Sequence, residues 1–144
     1  MRRRDQAHGT SALTAFATRY TTAWCSQKPD SVASFFAAGG SLQINAGAAS
    51  IGRKAIAAAA QRCMRAFPDL VVRMDSLIID AGRVTYHWTL TGTNTGPGGT
   101  GRAVRISGYE QWRFDADGLI AESVGHFDAA DYDRQLRSGS GQQR

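Results

Sequence analysis

Glu110 stands in the middle of a run in which every second residue is apolar. Ile106, Gly108, Glu110, Trp112 and Phe114 share one face of an alternating stretch, and Arg105, Ser107, Tyr109, Gln111 and Arg113 share the other. A carboxylate in an apolar row must be paired, be neutralised, or take part in chemistry. Held neutral by apolar neighbours, it is an acid with a raised pKa that can donate a hydrogen bond or transfer a proton. Satisfied instead by Tyr20, a tryptophan N–H or an arginine, it has no chemistry to do. Both readings stay open here.

The other reactive side chains point elsewhere. Alternation sends His87 opposite to Trp88 and His126 opposite to Phe127, so both histidines are expected on the outer face of a sheet. A slip of one residue in the last strand would bring His126 inside. Cys25 and Cys63 fall in helix-like stretches and read as buried small hydrophobes, not as a disulfide framework. Three histidines and two cysteines at these spacings make no metal site, and no cofactor motif is present. Ser123 lacks both a nucleophile elbow and an inward histidine. The glycine-rich Gly96-Pro97-Gly98-Gly99-Thr100-Gly101 is followed by neither Gly-Lys-Ser/Thr nor a helix, so it reads as a flexible inter-strand loop and not as a phosphate site.

The chain has 144 residues, 42% of them hydrophobic, which suits one core. Its formal charge of +5 comes in large part from Arg2, Arg3 and Arg4, in an end expected to be loose. No basic stripe with interleaved aromatics follows, so nucleic acid is not expected as a partner. No segment reads as a secretory signal or a membrane span, and a cytoplasmic location is the default expectation.

The elements that must hold Glu110 are legible from periodicity. Leu13, Phe16, Ala17, Tyr20 and Trp24 make one stripe of a first helix. Pro29-Asp30 opens a short second helix, capped by Asp30 and carrying Val32, Phe35 and Phe36, with Gly39-Gly40 as its end. A short strand follows at Ser41 to Asn45. Gly52 precedes a third helix with Ile56, Ala60, Cys63 and Phe67, stopped by Pro68. Strands are expected at Leu70 to Ile79, Val84 to Thr93, Arg102 to Phe114 and Leu119 to Phe127. Asp128 with Asp131 forms a capping box for a final helix, Ala129 to Leu136. The domain is expected over 11–137, with loose ends at 1–10 and 138–144. The fold class is α+β: three N-terminal helices packed in the concavity of a curved, mostly antiparallel sheet, a cystatin-like cone, with a short C-terminal helix. Such a cone encloses a natural small-molecule site.

Several pieces, in order, carry a resemblance. They are Gly52-Arg53-Lys54-Ala55-Ile56, Phe67-Pro68-Asp69-Leu70, Trp88-Thr89 with Gly92-Thr93, Gly108-Tyr109-Glu110-Gln111-Trp112-Arg113-Phe114, and Ile120-Ala121-Glu122 into Phe127-Asp128. Together they resemble the nuclear-transport-factor-2-like superfamily, and within it the SnoaL-like polyketide cyclase and ketosteroid-isomerase-like branch. The resemblance implies that Tyr86, Trp88, Leu90, Glu110, Trp112, Ser123, Gly125 and Phe127 face a cavity. Leu42, Ile44, Tyr20, Trp24 and Phe67 are expected to join them. It also implies a homodimer through the outer sheet face and a hydrophobic small-molecule ligand.

The chain departs from the family at the slots that matter most. SnoaL-like cyclases carry an inward aspartate on the last strand, where Gly125 stands here. The nearby Asp128 reads as the helix cap. Limonene-epoxide-hydrolase relatives place an arginine and an aspartate at the positions of Trp88 and Leu90. Tyr20 and Glu110 fall where ketosteroid isomerases keep two oxyanion donors, but the isomerase base falls at Ile44 or Asn45, and neither abstracts a proton. The expected function is therefore a cofactor-independent enzyme of isomerase or cyclase type, with Glu110 and Tyr20 as catalytic residues. The alternatives are a non-catalytic small-molecule-binding module and a dimeric interaction module with a filled interior.

Overall fold

The computed structural model describes residues 9–140. The arginines at positions 2–4 and most of the two expected loose ends lie outside the described residues.

Helix α1 (Thr10–Trp24) buries Leu13, Phe16, Ala17, Tyr20 and Ala23, the stripe its spacing demands. Helix α2 (Pro29–Ala33) is short. Its N-cap is Lys28 and its first residue is Pro29, whose fixed φ suits that position. Asp30 is therefore not the cap: it sits in the first turn, where its charge still favours the helix dipole. Nor do Gly39 and Gly40 end the helix. They lie inside strand β1 (Phe36–Ile44), which is longer than its sequence suggested and shifts register between Phe36 and Ser41. The reason is close backbone approach, since a Cβ on Gly40 would lie 2.7 Å from the Ile120 carbonyl oxygen.

After the two-residue strand β2 (Ser50–Ile51), helix α3 (Arg53–Ala66) buries Ile56, Ala60 and Met64. Four long strands follow: β3 (Val71–Asp80), β4 (Arg83–Thr93), β5 (Ala103–Phe114) and β6 (Ile120–Phe127). The β3–β4 hairpin turns through Ala81 and Gly82, both at positive φ, which matches the right-handed twist of the flanking strands. Helix α4 (Ala129–Ser138) closes the chain, and the Asp128 carboxylate caps it by accepting the Asp131 N–H at 3.0 Å.

The six strands form one sheet in the order β2-β1-β6-β5-β4-β3, antiparallel except for the β1–β6 pair. Its inner face meets the helices in an aromatic cluster. Tyr20 lies edge-on to Trp112, with ring centroids 5.1 Å apart, and Tyr86 stacks on Trp112 at 4.9 Å. Gln135 anchors α4 to a stretch of β5 beyond its pairing with β6. Its side-chain amide accepts from the Arg105 N–H and donates to the Arg105 carbonyl, at 2.6 and 2.9 Å.

The glycine-rich loop is not a free connection. It docks on the C-terminal end of α3, where helix carbonyls lack intrahelical partners. The Asn94 side chain and the Gly96 N–H both donate to the Ala66 carbonyl, and Asn94 Oδ1 accepts the Thr100 N–H. A Cβ on Gly96 would lie 1.8 Å from the Arg65 carbonyl oxygen. Gly96→Ala should therefore lower the unfolding free energy by about 2 kcal/mol or more, while Gly39→Ala, which meets nothing, should change it by less than about 0.5 kcal/mol. Chemical denaturation of the two variants checks this, and equal effects would show that the loop does not depend on the helix end.

Candidate active site

The sheet register assembles the site. Tyr86, Glu110 and Gly125 sit side by side on β4, β5 and β6, and Ile44 on β1 is opposite Gly125. Two residues further along β5, Trp112 pairs with Ser123. From the helix side, Tyr20 reaches the same spot. Three donors converge on a single oxygen of Glu110. Oε1 accepts from the Tyr20 hydroxyl at 2.8 Å, the Trp112 indole N–H at 2.9 Å and the Ser123 hydroxyl at 2.8 Å. Among the described residues, Oε2 accepts none of the hydrogen bonds. Glu110 is also one of the residues that line the cavity of the cone.

Burial drives the Glu110 pKa upward, and the three donors oppose that shift without cancelling it. No cation contributes to its titration. Burial first, and the neighbouring Glu110 second, push Tyr20 well above the ordinary tyrosine value, so the phenol keeps its proton and donates a hydrogen bond to Glu110. In the neutral acid, the geometry assigns Oε1 as the carbonyl oxygen, which leaves the proton on Oε2.

The cavity measures about 220 Å³. Of the residues expected in its wall, Trp24, Leu42, Ile44, Phe67, Tyr86, Trp88, Leu90 and Phe127 line it beside Glu110. Tyr20, Trp112 and Ser123 do not: they lie fully buried behind Glu110, where they hold its carboxyl. Gly125, also expected in the wall, is not among the residues that line it. A Cβ there would meet Ile44 Cδ1 at 3.2 Å and Glu110 Cγ at 3.5 Å, so the slot that bears the family's aspartate is filled in part by isoleucine.

The sequence reading missed Ala59, Cys63, Val72, Ile106 and Tyr132 as wall residues. Ile106 shares the Glu110 face and Val72 follows from strand alternation, so both were within reach. Tyr132 was not, because its place depends on how α4 docks. Burial pushes the Cys63 thiol up to about 11, which makes it inert at neutral pH. Cys25 departs from the expected buried place: it is exposed just past the end of α1, with Sγ 3.3 Å from both the Val72 N and the Val72 O.

The remaining polar groups are occupied or turned away. Asn45 Oδ1 accepts the Phe127 N–H at 2.9 Å, and the Tyr86 and Thr21 hydroxyls lie 2.5 Å apart. Trp88 lines the cavity, but its indole N–H is buried and has no hydrogen-bond partner among the described residues. His87 and His126 flank Tyr109 in register, on the opposite face from Glu110. Among the described residues, no three of His, Cys, Asp or Glu gather as metal ligands.

A raised pKa in the folded state has a definite sign. The contribution of Glu110 to stability is complete below its unfolded value, near 4.5, and is lost as pH rises through the folded value. The stability of the wild type relative to Glu110→Gln should thus fall across that window and level off above it. Tyr20→Phe removes a donor that favours the charged form, so it should extend the upper end of the window to higher pH and cost on the order of 1 kcal/mol. Denaturation curves at stepped pH measure both, and a pH-independent difference would contradict the assignment.

The fold and the family now follow from comparison. The chain is similar to TsrD from Streptomyces laurentii, at 18% identity over 90% of this chain and 97% of that one, with a TM-score of 0.76. It is similar to a protein of ketosteroid isomerase-like fold from Catenulispora acidiphila, solved in complex with trimethylamine, at 19% identity over 81% and 87% of the two chains and a TM-score of 0.71. It is also similar to SalBIII, an epoxide hydrolase/cyclase-like enzyme of pyran ring formation in the polyether salinomycin, at 14% identity over 89% and 96% and a TM-score of 0.73. At these identities the likeness is one of fold. No curated protein matches the sequence. No helix among the described residues is long and apolar enough to cross a membrane. The model of SnoaL-like polyketide cyclases matches residues 14–136, and the chain belongs to that family.

Proposed function

We propose that the protein is an enzyme that moves protons on a hydrophobic small molecule, in a reaction of isomerase or cyclase type. The observation that carries this reading is the one-sided hydrogen bonding of Glu110. Oε1 is tied to three donors while the carboxyl fronts an apolar cavity, so the proton is presented on the oxygen that remains. A carbonyl or other acceptor of the substrate takes that proton, and the substrate carries the positive charge opposite the carboxylate until the second transfer. The O–H bond of Glu110 breaks, a substrate O–H bond forms, and the carboxylate left behind is held by the three donors. The proton then returns to Oε2 from another position of the same molecule, either a carbon being rearranged or a hydroxyl closing a ring. Nothing is oxidised or reduced, so the step calls for no cofactor.

Tyr20, Trp112 and Ser123 are positioning residues in this scheme, because they act through Glu110. The Ile78 and Val124 side chains, 50% and 39% exposed, supply apolar surface to the outer face, which is where we place a homodimer contact.

One observation favours a non-catalytic binding module instead: Gly125 leaves no second acid or base beside Glu110. Hydrogen exchange separates the two readings without knowledge of the natural substrate. The wild type should catalyse exchange of the α-hydrogens of β-tetralone in deuterium oxide, with Glu110→Gln slower by roughly a hundredfold or more. Tyr20→Phe should fall between them. Binding without exchange would establish the binding module, and equal rates for wild type and Glu110→Gln would remove Glu110 from the chemistry.

A further inference from the structure

We infer that the cavity takes an uncharged molecule of one or two rings with a single hydrogen-bond acceptor, and that Tyr132 on the C-terminal helix sets this size limit. The inference rests on the proposed role of Glu110 and adds the class of ligand.

Volume gives the first bound. A dry apolar cavity of roughly 150 Å³ holds benzene, and sites for drug-sized molecules start at roughly 300 Å³. At about 220 Å³, this cavity lies between the two. That corresponds to about nine non-hydrogen atoms by the same comparison. The cavity is open to solvent, so a fused three- or four-ring skeleton exceeds the part that it encloses.

Length along the sheet gives the second bound. Phe127 pairs with Gly108, two residues from Glu110 on β5, or about 7 Å at the usual rise of a strand. Tyr132 stands edge-on to Phe127, with ring centroids 5.6 Å apart, and also meets Phe67 at 6.5 Å. All three line the cavity. A ligand whose acceptor meets Glu110 and whose body runs toward Phe127 therefore reaches the Tyr132 ring after about two fused rings. Tyr132 is a fixed wall and not a flap, because Gln135, one turn further along α4, is buried and bonded to both backbone groups of Arg105.

Charge gives the third. Among the described wall residues there is no lysine, arginine or histidine to receive an anion. A cation would require Glu110 to ionise, which its burial opposes. What remains is a neutral molecule with one acceptor for the Oε2 proton.

The test is equilibrium binding to the full-length protein, read by the fluorescence of tryptophans that line or adjoin the cavity. The probes are β-tetralone (two rings, neutral), naphthoate (anion), protonated aminotetralin (cation), anthrone (three rings) and progesterone (four rings). The wild type should bind β-tetralone roughly tenfold or more tighter than each of the other four. Tyr132→Ala should tighten anthrone by roughly tenfold and leave β-tetralone within about threefold, whereas Tyr132→Phe should keep the wild-type order. Anthrone or progesterone bound as tightly as β-tetralone overturns the inference. So does preference for either charged probe, or a Tyr132→Ala variant that binds β-tetralone normally but gains nothing for anthrone. Its failure is distinct from failure of the catalytic reading. Size-limited binding of β-tetralone without hydrogen exchange leaves the ligand class standing, and exchange on a four-ring ketone leaves the acid standing without the size limit.

Discussion

The structure is organised around one carboxyl group whose two oxygens live in different surroundings. Oε1 of Glu110 is enclosed by the Tyr20 hydroxyl, the Trp112 indole and the Ser123 hydroxyl. Burial favours the neutral acid and the three donors favour the anion, with burial the larger effect. A group balanced in this way can lose a proton to a substrate and recover it, because neither state is left without compensation. An arginine beside it would have fixed the charge, and a purely apolar setting would have made the anion inaccessible.

That balance depends on residues from four separate parts of the chain being brought to one point. The parallel β1–β6 pair and the antiparallel β6–β5–β4 array put Ile44, Gly125, Glu110 and Tyr86 in a row. The inner face has two notches, one in this row and one in the next. Gly125 brings no side chain beside Glu110, and a Cβ at Gly108 would lie 2.7 Å from Trp88 Cζ2. Glycines on the inner face thus shape the wall as much as the aromatics do. Outside the wall, the docked 94–101 loop and the Gln135 anchor hold α3 and α4 where they can contribute Cys63 and Tyr132.

Much of this was legible in the sequence, where the signal was periodic. Period-two alternation placed Glu110, Trp112, Tyr86, Trp88 and Phe127 on one face and the histidines on the other, and helical spacing placed Tyr20 in the stripe of α1. The Asp128 cap was readable because capping is local. Contacts between distant elements were not readable. Alternation cannot tell a residue that borders the cavity from one that supports its neighbour, so Tyr20, Trp112 and Ser123 were expected in the wall and stand behind it. Gly39-Gly40 carried the composition of a helix stop, but Gly40 serves a close strand crossing, and the stretch after Asn94 carried the composition of a free loop, but Gly96 serves a tight contact with α3. In each case glycine marked a crowded backbone, and its sequence neighbours held no sign of which backbone it was.

The protonation of Glu110 is the most direct point of attack. The chain contains two glutamates, Glu110 and Glu122, so selective carbon-13 labelling of glutamate carboxyls gives two resonances to follow through a pH titration. Glu122 is half exposed on the outer face, so the two resonances are separable by substitution of either residue. The account predicts that the Glu110 resonance titrates clearly above the ordinary glutamate value and shifts further upward in Tyr20→Phe. A midpoint at or below the ordinary glutamate value would show a carboxylate fixed in its charged form, and the acid at the centre of this site would not exist.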